Sequence, residues 1–300
     1  MILSKRIVCL TLLFVGLAAS SALAAGAATQ SWHTDYTKAV QSAKEQGKYL
    51  FIFFHETGNS AVRDAFESRV LAQSEVQARL AGFERVRLPL DASIYIGGKL
   101  TRLLDHPSFS EMQRQQGIAI LDFAAPGSAH YGLVVNMFPF RPGRYYGVPA
   151  VKTILALPSG TLTQRTMIYA VRMHPEHPAS TRGEFSPILA NEAESHSHHQ
   201  ANIRVQGHHQ WGYRFQRILG RLRYRFGGGG GDSGPTEVVA ESWPGKTLVD
   251  AAVDCVDSWR QSSGHWDAVR SDHGAYAYDM KRGSNGIWYA TGIFAGYRHR

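Results

Sequence analysis

Histidine dominates the chemistry available to this chain: there are fourteen, and imidazole both ligates divalent metals and moves protons near neutral pH. Most are scattered. In His196-Ser-His-His199, positions 196 and 199 fall on one face of any helix, giving either a small metal patch or the polar side of a half-buried helix. Gly207-His-His-Gln-Trp211 opens an amphipathic stretch in which Arg214, Arg217 and Arg221 share one face and Phe215, Ile218 and Leu222 another. The arginines from Arg214 to Arg225 suit phospholipid headgroups or cell-wall anions, or form an ordinary solvated helix face. Sulfur offers less. The two cysteines, Cys9 and Cys255, form no Cys-x-x-Cys pair, and Cys255 sits among Ala251, Ala252, Val256 and Trp259 as a small buried hydrophobe would. Gly227 to Gly231 is a flexible loop by composition and not a phosphate cradle, because no Gly-Lys-Ser/Thr follows it.

The N-terminus sets the compartment. Lys5 and Arg6 precede an apolar run from Ile7 to Leu17, and Ser21-Ala-Leu-Ala24 offers a small-residue cleavage site, so residues 1–24 are expected to be a secretory signal. A secreted or periplasmic protein is the expectation, and losing Cys9 with the leader leaves Cys255 without an intrachain partner. With 300 residues, 44% hydrophobic and 19% charged, the chain has room for two globular domains. The formal charge of +8, less two if the leader is cleaved, suits an anionic surface but is too diffuse to point to nucleic acid.

The first half must place a buried sheet. Asp35 to Gln46 has helical spacing and ends at Gly47, and Tyr49 to Phe54 is a continuous apolar run, as in a strand covered on both faces. Ser60 can cap a helix running to Val70, with a shorter helix over Ser74–Leu80 and a strand over Phe83–Leu90. Two further strands are expected at Gly117–Phe123 and Leu133–Phe138, and a last helix within Tyr145–Leu157. This order, with Trp-x-x-Asp-Tyr-x-x-Ala before Gly-Lys-Tyr-Leu-Phe-Ile-Phe-Phe, resembles the thioredoxin superfamily, most closely over Trp32–Asp91. Where that family carries two cysteines this chain has Gly58-Asn-Ser-Ala-Val-Arg63, and where it has a proline it has Gly117-Ile118, so no thiol–disulfide activity is expected over residues 32–157.

In the second half, helices are expected within Thr161–Met173, over Ile188–Val205 and over Leu248–Gln261. Asn285-Gly286 turns a terminal hairpin. With Ala240-Glu241, Trp259 and Ser263-Gly264-His265, this order resembles the CAP superfamily (SCP domain; cysteine-rich secretory, antigen 5 and pathogenesis-related proteins), over roughly Leu162–Tyr297. The resemblance implies an α-β-α sandwich over residues 158–300 whose cavity gathers His208, with His209 as the competing register, Glu241 and His265. It departs from the family pattern at Ser242, Ser262 and Ser263. Two imidazoles and one carboxylate suffice for a divalent metal such as zinc with open positions, or for orienting a water. The expected fold class is therefore α/β: a redox-inactive thioredoxin-like domain, then a CAP/SCP domain. The expected function is non-catalytic binding of a lipid, peptide or cell-envelope glycan. The alternatives are a metal-assisted hydrolase of peptide or cell-wall bonds, and an interaction protein whose first half recruits partners.

Overall fold

The computed structural model describes residues 31–226 and 234–296. The expected leader at 1–24 and the run Gly227–Gly231 lie outside those residues. The molecule is a mixed α/β protein with two mixed four-stranded sheets and a separate two-stranded hairpin.

The first sheet has the order β2-β1-β5-β6. Helix α1 (Tyr36–Gln46) starts where the Asp35 side chain accepts the Lys38 N–H at 2.8 Å, and it stops at Gly47, whose φ of 59° suits a left-handed cap. Strand β1 (Tyr49–His55) is buried at five central positions and runs parallel to β2 (Phe83–Pro89) and antiparallel to β5 (Gly117–Leu121). Strand β6 (Val134–Pro139) completes the sheet beside β5. Between β1 and β2 lie α2 (Ala61–Phe66), capped by Ser60, a π-helical turn over Glu67–Leu71, and α3 (Ser74–Leu80). The helix expected to run from Ser60 to Val70 thus changes winding after Phe66. Strands β3 (Ser93–Ile96) and β4 (Lys99–Arg102) form a hairpin between β2 and β5. Helix α4 (Val148–Leu155) follows β6, shorter than the Tyr145–Leu157 span allowed it.

The second sheet has the order β7-β9-β10-β8. It is built from β7 (Glu184–Phe185), β8 (Thr236–Glu241), β9 (Ala275–Arg282) and β10 (Trp288–Ala295). Alternation along the strands sends Val238, Ala240, Tyr276, Tyr278 and Ala290 to one face, packed with α5 (Leu162–Met173) and α8 (Leu248–Arg260). Ala275, Ala277 and Ile293 go to the other face, against α6 (Pro187–Ile203) and α7 (Trp211–Phe226). Helix α9 (Ser263–Arg270) sits beside α8 and β8; the sequence reading gave this stretch no helix.

Helix α5 holds the molecule together. A reciprocal cap between Thr161 and Gln164 starts it, and Met167, Ile168, Tyr169, Ala170 and Val171 are all buried. It packs on β6 of the first sheet and on β9 and α8 of the second, with the Tyr169 ring 4.6 Å from that of Phe138, edge to face. One apolar cluster consequently runs from Phe51 and Phe53 through α5 to Trp259, Tyr278 and Phe294, and the chain from Trp32 onward is one compact unit.

Candidate functional site

Helix α6 has an unusual inner face. Glu192, His196, Ser197 and Gln200 are all buried at helical spacings, where an amphipathic helix would carry aliphatic residues. Each has a partner. Glu192 accepts from the guanidinium groups of Arg217 and Arg221, and Ser197 donates to Asp279 on β9. The Gln200 amide donates to Thr291 on β10 at 3.0 Å. The face is a fully used polar network, which is how a buried polar surface avoids the cost of unmade hydrogen bonds.

The end of this network positions the site. His196 Nε2–H donates to the Gly207 carbonyl at 2.9 Å, and the Gln200 side-chain oxygen accepts the Gly207 N–H at 3.1 Å. Positions 196 and 200 are one helical turn apart and hold both sides of one residue. The next residue, His208, is thereby turned toward Glu237 and His265: its Nδ1 lies 2.9 Å from Glu237 Oε1, and its Nε2 lies 3.3 Å from Nε2 of His265. His265 comes from the first turn of α9 and Glu237 from the start of β8, so three separate segments converge.

Charge fixes the proton arrangement. Glu237 is fully buried, and burial alone would raise its pKa. The hydrogen bonds from His208 and Arg214 outweigh that and hold it below the ordinary carboxyl range. Arg214, itself buried, grips both carboxylate oxygens. An ionised Glu237 accepts from Nδ1–H of His208, so the His208 Nε2 lone pair is free to accept from His265. Burial depresses the pKa of His265, and the neighbouring His208 depresses it further, while Glu237 acts in the opposite sense. His196 is pushed down to about 4, chiefly by burial and also by Arg214, and is neutral at pH 7. His208 is about half exposed, so the imidazole pair opens to solvent while its carboxylate support does not.

Two expectations from sequence need correction. Glu241 is exposed at the far end of β8, and no hydrogen bond or ion pair joins it to another described side chain. The acid at the histidines is Glu237, four residues earlier on the same face of the strand. His209 takes other partners: its Nε2 lies 3.3 Å from the Val205 carbonyl oxygen, and its ring packs 5.5 Å from that of His199. Of the expected trio, His208 and His265 meet. The alternation Glu237-Val-Val-Ala-Glu241 already put both acids on one strand face, and the partner Arg214 is the signal that separates them.

Other chemistry expected from sequence is accounted for. Among the described residues no group of three or more His, Cys, Asp or Glu side chains is arranged to hold a metal ion, so neither the set His208, Glu241 and His265 nor the His196–His199 patch is a preformed three-ligand centre. The smaller pair His208–His265 has its two Nε2 atoms at a spacing that a shared ion would also require. Two imidazoles sharing a tetrahedral zinc with bonds near 2.05 Å have nitrogens about 3.3 Å apart, and the separation here is 3.3 Å. Arg214 pairs with Glu237, and Arg217 and Arg221 share Glu192. Cys255 is buried, and burial first, then Asp254 and Glu241, raises its thiol pKa far above the reactive range. No described helix is long and apolar enough to cross a membrane. Comparison with protein-family models, with curated proteins and with solved structures finds no match to this chain.

Proposed function

We propose that this is an exported binding module of the CAP/SCP type, preceded by a thioredoxin-like half without redox chemistry, and that its working centre is the His208–His265 pair backed by Glu237. The second sheet with helices on both faces supports the first part of this reading. The order β2-β1-β5-β6, with β1 and β2 parallel and β5 reversed, supports the second. The observation that carries the functional reading is the 3.3 Å approach of the two Nε2 atoms, one of them oriented through Nδ1 by a buried carboxylate.

That arrangement suits a divalent cation such as zinc with two protein ligands and open positions. Bound there, the ion would act as a Lewis acid toward an oxygen of the ligand. Glu237 orients His208 through Nδ1, as outer-shell carboxylates do for metal-ligating histidines. Arg214 keeps Glu237 ionised and immobile, which favours holding over turnover: a carboxylate clamped by a guanidinium and an imidazole is not free to shuttle protons. The occupant of the open positions is an oxygen-bearing group of a lipid, peptide or cell-envelope glycan.

One observation favours a second reading, a metal-assisted hydrolase. An imidazole held by a carboxylate at Nδ1, with Nε2 turned to a second, partly exposed imidazole, is also a geometry that suits a general base. Calorimetric titration of the chelator-treated protein with zinc separates the readings. One ion per chain is expected, lost in His208→Ala and in His265→Ala. Absence of zinc uptake by the wild type overturns the cation proposal. Turnover of casein or muropeptides that disappears with His208→Ala would establish the hydrolase instead.

A further inference from the structure

The hairpin β3–β4 belongs to neither large sheet. Its tip is Gly97-Gly98, both with positive φ (56° and 82°), the backbone a two-residue hairpin turn requires. Cross-strand register pairs Tyr95 with Leu100 and Ile96 with Lys99. Ile94 packs into the core beneath, so alternation turns Tyr95 and Leu100 outward. They are 75% and 57% exposed, and Ile96 beside the tip is 39% exposed. Three large apolar side chains thus stand in solvent within six residues.

The base of the hairpin is anchored. Leu103 N–H donates to the Ala92 carbonyl at 2.8 Å, Leu103 and Leu104 are buried, and Asp105 accepts from both Arg102 and Arg114. From Ala92 to Leu104 the chain holds no acid, and its charges are Lys99 and Arg102, with Lys99 next to the glycine tip. An exposed apolar wedge with a cation at its point is complementary to one surface in particular.

We infer that this hairpin is a membrane-surface anchor that inserts Tyr95 and Leu100 of its outward face into the headgroup boundary of an anionic bilayer, while Ile96 and Lys99 beside the tip meet the headgroups and their phosphates. Tyrosine favours that boundary because its ring is apolar and its hydroxyl stays wet, and cationic side chains are drawn to anionic leaflets. A protein partner suits the hairpin less. Stable protein interfaces cover roughly 800 Å² on each side, more than two four-residue strands present. Edge pairing with a second copy is disfavoured by the shortness of the strands and by a lysine on the edge.

Flotation of the full chain with phosphatidylcholine vesicles, and with vesicles in which three lipids in ten are phosphatidylglycerol, tests this. The wild type is expected to bind the anionic vesicles more strongly and to release partly in high salt. Tyr95→Ser/Leu100→Ser is expected to lower the partition coefficient at least tenfold at an unchanged melting temperature, and Lys99→Glu to remove the preference for anionic lipid. Every variant keeps residues 1–24, so a difference from wild type belongs to the hairpin. Equal vesicle binding by wild type and variants overturns the inference. So does a change confined to oligomeric state in light scattering, which would mark an interface between copies.

Discussion

Glu237 has two jobs that substitution can pull apart. Replacing it with Gln keeps its shape and a hydrogen bond for His208 but removes the charge facing Arg214. Breaking a buried pair from one side costs about 3–5 kcal/mol, and loss of an outer-shell carboxylate weakens metal affinity about 10–100-fold. Glu237→Gln should therefore lower both the melting temperature and zinc affinity, whereas Glu241→Gln, at an exposed position, should change neither. Gln200→Ala makes a finer test. It releases the Gly207 N–H while touching neither imidazole. Nitrogen-15 spectra should show His208 losing its fixed Nδ1–H form, and an unchanged His208 signal would mean that the Gly207 clamp does not position it. The histidines are legible in the sequence, whereas the resemblance of Ala240-Glu241 to a family segment pointed to the acid four residues after Glu237. Which of two acids on one face of β8 is used depends on where α7 delivers Arg214, a long-range fact that local spacing does not hold.

Among the elements, β9 carries a second consequence of the polar face of α6. Asp279 is fully buried, accepting from Thr163 of α5 at 2.6 Å and from Ser197 of α6. Burial raises its pKa to about 7; the hydroxyls of Ser197 and Thr163 act against that, nearby Glu194 adds to it, and the Met280 N–H lowers it. The folded state thus holds this proton more tightly than the unfolded chain does. The group's contribution to stability is full below the ordinary carboxyl pKa near 4 and is lost as pH rises through about 7. Denaturant midpoints measured from pH 4 to 8 should show this decline in the wild type, and Asp279→Asn should remove it. Curves that stay parallel would exclude a raised pKa at Asp279. Regular elements were well marked in the sequence: Asp35 and Gly47 bracket α1, and Asn285-Gly286 turns β9 into β10. The hairpin β3–β4 is marked only by Gly97-Gly98, because Tyr95 and Leu100 are exposed and lend its strands little apolar period. Helix α6 was placed within two residues, yet its inward polar face became legible only when its partners on β9, β10 and α7 were known.

At the scale of the whole molecule, the two expected domains meet between Leu157 and Pro158. The core does not stop there. Met167 and Ile168 of α5 are fully buried in the cluster that also holds Phe53 and Trp259. Ile168→Ala should cost about 2–5 kcal/mol and should destabilise both sheets together, so that thermal unfolding remains a single transition at a lower temperature. Two separate transitions would mean that each half has its own stability. Pattern along the chain reports which face of an element is apolar, but not that two sheets use the same helix, so the shared core had to be seen.

Sharing a helix changes what a break in the backbone would do. Cleavage in the 156–161 connection would sever the chain without exposing α5, whose side chains remain gripped from both directions. The two pieces should travel together through a sizing column in native buffer and part only in denaturant, much as a key stays in a turned lock after its handle snaps off.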